Sequence, residues 1–189
     1  MSFDDEEILV GNLISDFVKG KKKFSYPAGI QKGITLHRSI DTFTDDHQAT
    51  KLAKDVFRPA YRLYSGAFVD VVYDHFLATD TNEFTGESLR NFSERVYQVL
   101  DRHFEYLPER FARMFPYMKQ QNWLYHYSTV RGTELSFGGL VRRARYIVES
   151  ETAASLFEEH YKSLHECYKL FFPDLKSFAQ RMYEDILKL

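Results

Sequence analysis

Residues 27–46 read PAGIQKGITLHRSIDTFTDD, and this stretch decides the fold class. Apolar and ionisable side chains recur in it at intervals of three or four, which is the period of one face of an α-helix. The residues on that face are Ile30, Ile34, His37 and Asp41. The same period continues through almost the whole chain, without a convincing strand pattern. The sequence therefore predicts an all-α fold.

Turn signals divide the rest of the chain into further helices. We expect the first helix to run from about Asp4 to Lys19 and to stop at Gly20. Gly138 and Gly139 are expected to interrupt or kink a later helix, and Pro173 is expected to open the last one. The other predicted helices cover residues 47–64, 67–78, 88–106, 108–118, 122–130 and 152–171.

Length and composition suit one globular unit. The chain has 189 residues, 44% of them hydrophobic, which argues against disorder and favours a single-domain helical bundle. The 17 Phe and 13 Tyr side chains are expected to fill the space between helices.

Several classes of protein are excluded. The net charge of −2 is too balanced for a nucleic-acid binder, and no apolar run approaches the roughly 18 residues of a membrane span. The acidic start of the chain is unlike a signal peptide, so a cytoplasmic location is expected. Cys167 is the single cysteine, which rules out an intrachain disulfide and a Cys-rich zinc cluster. The chain has neither a Gly-x-Ser-x-Gly elbow nor a P-loop.

Basic residues are concentrated in two short groups. One group is Lys19, Lys21, Lys22 and Lys23, and the other is Arg142, Arg143 and Arg145. Two solvated surface patches would explain them. The sharper hypothesis is a docking surface for an acidic partner, with Lys21, Lys22, Lys23, Arg142 and Arg143 as its contacts.

The first two helices bring carboxylates and a histidine to their apolar faces. Asp16 continues the stripe of Leu9 and Leu13, where an unpaired carboxylate would be costly. It either pairs with an arginine or a helix N-terminus, or belongs to a site. His37 and Asp41 stand one turn apart, and Asp45 follows one turn later, so we expect all three to point inward. An ordinary surface ion pair is the alternative for the His–Asp pair.

The fourth helix carries the sequence Asp70-Val-Val-Tyr-Asp-His-Phe-Leu77. Its ionisable residues Asp70, Asp74 and His75 interrupt an otherwise apolar helix. Carboxylates and imidazoles together suit Mn²⁺, Fe²⁺ or Zn²⁺, and carboxylate-rich sites also admit Mg²⁺. Three helices that present such residues inward predict a divalent-metal site able to activate water.

These segments resemble the acyl carrier protein phosphodiesterases. The resemblance rests on Gly11-Asn-Leu-Ile-Ser-Asp-Phe-Val-Lys-Gly20, His37-Arg-Ser-Ile-Asp41, Thr44-Asp45, Asp70-x-x-x-Asp-His-Phe-Leu77, Asn122-Trp-Leu, Tyr127, His160-Tyr161 and Phe172-Pro-Asp-Leu175. The motifs cover nearly the whole chain in the right order. Each is short, but the combination is specific.

The resemblance implies a fold, a reaction and a site. Members of this family are α-helical, are regarded as divergent relatives of the HD-type phosphohydrolases, and remove 4′-phosphopantetheine from a serine of holo-acyl carrier protein, which is an acidic partner. Mn²⁺ is the metal associated with them. The resemblance implies metal binding by Asp16, His37, Asp41, Asp74 and His75, with catalytic roles for the first three and for Arg38. Asp45 and Asp70 are supporting candidates.

One departure from the family pattern affects this expectation. Family members open with a segment of the type Asn-x-Leu-Ala-His, which is missing ahead of Ser2. A mis-assigned start, a deliberately shortened chain or a real loss would explain this, and metal binding is then expected to be weak or absent if that histidine is a ligand. Two other functions stay open: a different metal-dependent phosphohydrolase on the same scaffold, and a non-catalytic helical module that binds an acidic carrier protein.

Overall fold

The computed structural model describes residues 5–188, which form α-helices and short 3-10 helices without a strand. The α-helices are α1 (Glu6–Ile14), α2 (Ala28–Asp46), α3 (Gln48–Tyr61), α4 (Ser65–Thr79), α5 (Gly86–Arg102), α6 (Glu109–Gln120), α7 (Trp123–His126), α8 (Val130–Arg143), α9 (Glu151–Glu159) and α10 (Tyr161–Leu187). The prediction of an all-α fold is confirmed. The relation to HD-type folds stays a prediction.

The first helix is shorter than its sequence pattern predicts. The Asp5 carboxylate accepts a hydrogen bond from the Ile8 N–H at 3.0 Å and caps α1. The predicted start, Asp4, lies outside the described residues, as does the position of the family's opening histidine segment. At the other end, the Ser15 N–H bonds to the Asn12 carbonyl, and a 3-10 helix covers Ser15–Phe17. Because of this tighter turn, residues after Ile14 leave the stripe that the sequence predicts.

The described residues form two compact units. The first unit consists of residues 5–44, 91–122 and 174–188, and the second consists of residues 45–90 and 123–173. The single domain expected from chain length stays a prediction.

The core of the first unit includes aliphatic side chains from α1, α2 and α10. Ile8, Leu36 and Ile186 are buried against one another. Ile40, Met182 and Tyr183 are partly buried against the same cluster. This packing holds α2, the helix that carries His37, against its neighbours.

Aromatic rings dominate the core of the second unit. Phe57, Phe68, Phe137 and Phe157 are fully buried, and full burial of such a side chain stabilises a fold by about 1.5–3 kcal/mol. The hydroxyl of Tyr61 accepts a hydrogen bond from the Ala153 N–H at 2.9 Å, which ties the end of α3 to α9. The abundant aromatic residues therefore fill space between helices, as predicted.

The helix start predicted at Pro173 is wrong, and the predicted interruption at Gly138 and Gly139 does not occur, while the alternative of a kink there stays a prediction. Helix α10 continues through Pro173 and begins after a break at His160, and α8 continues through Gly138 and Gly139. Burial of Phe172 and Leu175, on either side of the exposed proline, outweighs the cost of about 3 kcal/mol for proline in a helix interior. Burial of Phe137 anchors α8 in the same way.

Within the described part of the chain, none of the helices has both the length and the apolar character that a membrane crossing requires.

Candidate metal centre

Two glycines bring α1 and α2 into close contact beside the cluster of ionisable residues. A Cβ atom on Gly11 would lie 2.1 Å from the Ile30 carbonyl oxygen, and one on Gly33 would lie 2.2 Å from the Ile8 carbonyl oxygen. Any larger residue would force the helices apart at this crossing. Asn12 follows Gly11, and His37 lies one turn after Gly33, so the crossing sets the distance between their side chains.

His37 is held at both ring nitrogens. Its Nδ1 lies 2.9 Å from Asn12 Oδ1, while its Nε2 lies 3.3 Å from an Asp16 oxygen and 3.2 Å from an Asp41 oxygen. The amide oxygen of Asn12 accepts only, so Nδ1 carries the hydrogen that forms this bond. His37 and Asp41 share one side of α2, as their i, i+4 spacing predicts, and without a metal they form the ion pair that was the alternative interpretation.

The orientation predicted for these residues is wrong in part. The His37 side chain is 22% exposed, but those of Asp41 and Asp16 are 53% and 77% exposed. Asp16 lies outside the apolar stripe because α1 ends before it. The two carboxylates therefore lie around the imidazole at the surface. Water hydrates their charges there, so Asp16 does not need the partner that a buried carboxylate would require.

The two carboxylates govern the protonation of His37. Partial burial disfavours the charged ring, but hydrogen bonds and charge from Asp16 and Asp41 outweigh burial and raise the pKa of His37 to about 9. Without a metal, the imidazole is thus a cation at neutral pH, bonded to two anions. The same carboxylates would attract a metal cation, which would displace the Nε2 proton when it binds the imidazole.

The donor set fits a divalent ion. Ligand atoms from Asp16, His37 and Asp41 all lie within 4.8 Å of one another, a grouping found here among the described residues. Asn12 fixes the ring through Nδ1 and directs Nε2 towards the carboxylates, as outer partners of metal-bound histidines do. This orienting role of Asn12 was not predicted from the sequence, because it depends on the helix crossing.

Arg38 and Asp45, which follow His37 in sequence, contact other residues. Arg38 Nη2 donates to the Val18 carbonyl oxygen at 2.5 Å and so braces the turn that follows Asp16. Asp45 belongs to the second unit, where Lys54 Nζ lies 2.6 Å from its carboxylate. With 71% of its side chain exposed, Asp45 does not point inward as predicted.

His75 belongs to the second unit and has a different environment. It is 2% exposed, with Nδ1 at 2.8 Å from the Tyr127 carbonyl oxygen and Nε2 at 3.0 Å from the Tyr161 hydroxyl. Because a carbonyl only accepts, Nδ1 carries the hydrogen and the Tyr161 hydroxyl donates to Nε2. Burial lowers the pKa of His75, so the ring is neutral. Metal binding by Nε2 would require displacement of Tyr161, and this ligand role stays a prediction.

Asp74 shares the second unit with His75 but points to its own partners. The residue is exposed by surface area, yet surrounding protein atoms partly desolvate the carboxyl group, and this effect together with the negative charge of Asp70 raises its pKa to about 7. A hydrogen bond with Tyr127 opposes the shift. Tyr127 thus contacts Asp74 through its side chain and His75 through its backbone. From the sequence, Tyr127 was identified only as one of the motifs of the family resemblance.

The two basic groups also lie in different units. Lys21, Lys22 and Lys23 belong to a 3-10 helix, Gly20–Ser25, in the first unit. Arg142 and Arg143 form the last turn of α8 in the second unit. Only the lysine group shares a unit with Asp16, His37 and Asp41.

Comparison with known proteins gives a consistent result. The sequence model of the family described as acyl carrier protein phosphodiesterase matches residues 1–175. Proteins of that name from Yersinia pestis and Photorhabdus laumondii are 30% and 28% identical to this chain over 91% of its length, which covers 90% and 87% of theirs. One from Escherichia coli is 28% identical over 93% of this chain and 92% of its own. No solved structure matches significantly.

Proposed function

This chain belongs to the acyl carrier protein phosphodiesterase family, and from that premise we propose that it hydrolyses holo-acyl carrier protein. The substrate is the phosphodiester that joins 4′-phosphopantetheine to a serine of the carrier protein. Water is consumed, the bond between phosphorus and the serine oxygen breaks, and the products are 4′-phosphopantetheine and apo-acyl carrier protein.

The observation that carries the proposal is the cluster of Asp16, His37 and Asp41. Two carboxylate oxygens and one oriented imidazole nitrogen are donors that Mn²⁺ accepts, and Mg²⁺, Fe²⁺ or Zn²⁺ are alternatives. We assign these three residues to a divalent ion, with Mn²⁺ as the preferred metal. When bound, such an ion neutralises phosphate charge and lowers the pKa of a coordinated water.

The residues of the chain prepare this site in three ways. Asp16 and Asp41 supply negative charge, so the site attracts a cation. Asn12 holds the His37 ring and leaves Nε2 directed between the carboxylates. Arg38 braces the Val18 carbonyl and so holds the turn that carries Asp16. A direct contact between Arg38 and the substrate phosphate stays a prediction.

The exposure of the cluster suits a macromolecular substrate. A carrier protein presents its phosphodiester at its surface, and the carboxylates of Asp16 and Asp41 are themselves at the surface of the first unit. A solvent-accessible site of this kind can reach a phosphodiester that is part of a folded protein.

Mass spectrometry tests the proposal. Purified holo-acyl carrier protein is incubated with the chain, with and without added Mn²⁺, and the carrier protein is weighed. We expect loss of the phosphopantetheine mass only when Mn²⁺ is present, and no loss after addition of EDTA. Cleavage of small phosphodiesters, with the carrier protein unchanged, would instead favour a different metal-dependent phosphohydrolase on the same scaffold. Binding of the carrier protein without cleavage of either substrate would favour the non-catalytic module.

A further inference from the structure

The first unit carries an exposed surface that combines basic residues with one aromatic ring, formed by Lys19, Lys21, Lys22 and Phe24. We propose that this lysine–phenylalanine surface docks an acidic protein partner. The inference rests on the proposed function, because the partner is the carrier protein that brings the phosphodiester to the cluster of Asp16, His37 and Asp41.

The local charge is strongly one-sided. Between Asp16 and Asp41 the chain contains five lysines and one arginine but no acidic residue, although the whole protein has a net charge of −2. Lys19, Lys21 and Lys22 are all exposed. A concentration of one charge on a protein of opposite net charge attracts an acidic partner to that place.

Phe24 adds an apolar contact to this charge. Its side chain is 65% exposed, and Lys23 Nζ lies 5.2 Å from the centre of its ring. An exposed aromatic residue next to a cation, in a lysine-rich segment, has the composition of an interface anchor with a charged rim. The matching partner presents an apolar side chain among carboxylates.

The surface adjoins the candidate metal centre along the chain. Lys19 follows Asp16 by three residues, a span of at most about 11 Å. Arg38, on α2, donates to the Val18 carbonyl next to Lys19. Lys23 Nζ donates to Thr35 Oγ1 at 3.3 Å, which holds the 3-10 helix of the surface against α2. A partner that docks at Lys19 therefore comes within reach of Asp16.

The arginine group has a simpler explanation. Arg142 and Arg143 occupy the last turn of α8, a helix of fourteen residues, where cations interact favourably with the C-terminal end of the helix dipole. The lysine–phenylalanine surface is therefore the better candidate for docking.

Two variants test the surface, one for charge and one for the ring. We expect Lys21→Glu with Lys22→Glu to lower kcat/KM for holo-acyl carrier protein by at least about tenfold at low salt, and to change hydrolysis of bis(4-nitrophenyl) phosphate by less than about twofold. The loss should shrink as salt is added, since screening removes the attraction. Phe24→Ser should raise KM for the carrier protein at every salt concentration. Lys21→Ala with Lys22→Ala is a milder variant in case the charge reversal disturbs folding.

Matched controls separate docking from general charge effects. Lys51→Glu with Lys162→Glu reverses the same number of exposed charges elsewhere in the chain, and Arg142→Glu with Arg143→Glu reverses the other basic group. Both controls should cleave holo-acyl carrier protein normally. Equal losses on both substrates, or a loss confined to the arginine variant, would overturn the proposed docking surface.

A binding measurement keeps this test separate from catalysis. Affinity for apo-acyl carrier protein is measured by fluorescence anisotropy on the same set of proteins. If the wild type binds but releases no phosphopantetheine, the proposed function fails, and weaker binding by the lysine and Phe24 variants still supports the surface. If the wild type does not bind, or if these variants bind as tightly as it does, the surface is refuted.

Discussion

His37 and His75 begin from similar sequence contexts and end in opposite environments. Each lies on a helix with an aspartate nearby in sequence, one turn after His37 and next to His75. In the structure, His37 is partly exposed between two carboxylates, and His75 is 2% exposed between a backbone carbonyl and a tyrosine hydroxyl. Proximity in sequence to an acid therefore does not decide what a histidine contacts.

The difference lies in the charge that each environment accepts. Carboxylates around His37 favour a cation there, whether a proton or a metal ion. The partners of His75 suit a neutral ring, and packing against Phe157 and Tyr161 leaves it among aromatic side chains. The environment of His37 suits the metal site that we propose, whereas His75 forms hydrogen bonds with Tyr127 and Tyr161.

Removal of His37 should have the largest effect. We expect His37→Gln to lower phosphodiesterase activity by more than about 100-fold. Removal of a residue that binds the metal directly should reduce activity more than the roughly 10–100-fold loss caused by removal of a residue that only orients a ligand. Circular dichroism should show a folded protein with a lowered unfolding temperature, since the contacts of the ring with Asp16 and Asp41 are lost, so activity is assayed well below that temperature. His126→Gln, at another exposed histidine, is the control and should be fully active. An active His37→Gln enzyme would contradict the proposed site.

Removal of His75 should act on stability instead. We expect His75→Ala to lower the free energy of unfolding by about 3 kcal/mol, through a buried cavity and two lost hydrogen bonds. Urea denaturation measures this loss. His75→Asn, which retains a donor for the Tyr127 carbonyl, should recover part of it. A stability close to that of the wild type would show that the buried contacts of His75 matter less than we infer.

Asn12 sharpens the comparison, since it distinguishes His37 from an ordinary surface histidine. Asn12→Ala should weaken Mn²⁺ binding by about tenfold and leave stability nearly unchanged, because the ring loses its orienting acceptor but no ligand. Asn12→Asp retains an acceptor and should restore affinity. Isothermal titration calorimetry gives both values, and equal affinities for Asn12→Ala and the wild type would remove Asn12 from the site.

The two histidines should also respond to pH in opposite directions, with smaller effects. The folded-state pKa of His37 is raised from 6.5 to about 9, so its contribution to stability is complete below about 6.5 and is lost as pH rises through about 9. The pKa of His75 is lowered, so its contribution is lost as pH falls below 6.5. Metal-free protein is used for NMR titration of the imidazole signals and for urea denaturation at each pH. A His37 midpoint near 6.5 would contradict the assigned contacts.

The all-α fold and the part of the candidate site that lies on α2 could be predicted from the helical period of the sequence. Helical period predicted the all-α fold and the position of His37 and Asp41 on one face of α2, because residues one turn apart lie on the same side of any helix. The partners of His75 were not predictable in this way, since Tyr127 and Tyr161 lie 52 and 86 residues further along the chain. The exposure of Asp16 was missed because the 3-10 turn after Ile14 ends the period on which the prediction relied.

A crystal structure with Mn²⁺, with anomalous data collected at the manganese edge, tests the central claim most directly. The account predicts one anomalous peak about 2.0–2.3 Å from His37 Nε2 and from carboxylate oxygens of Asp16 and Asp41, with His75 still bonded to Tyr127 and Tyr161. A manganese peak bound to His75 Nε2, with Tyr161 displaced and His37 uncoordinated, would contradict it.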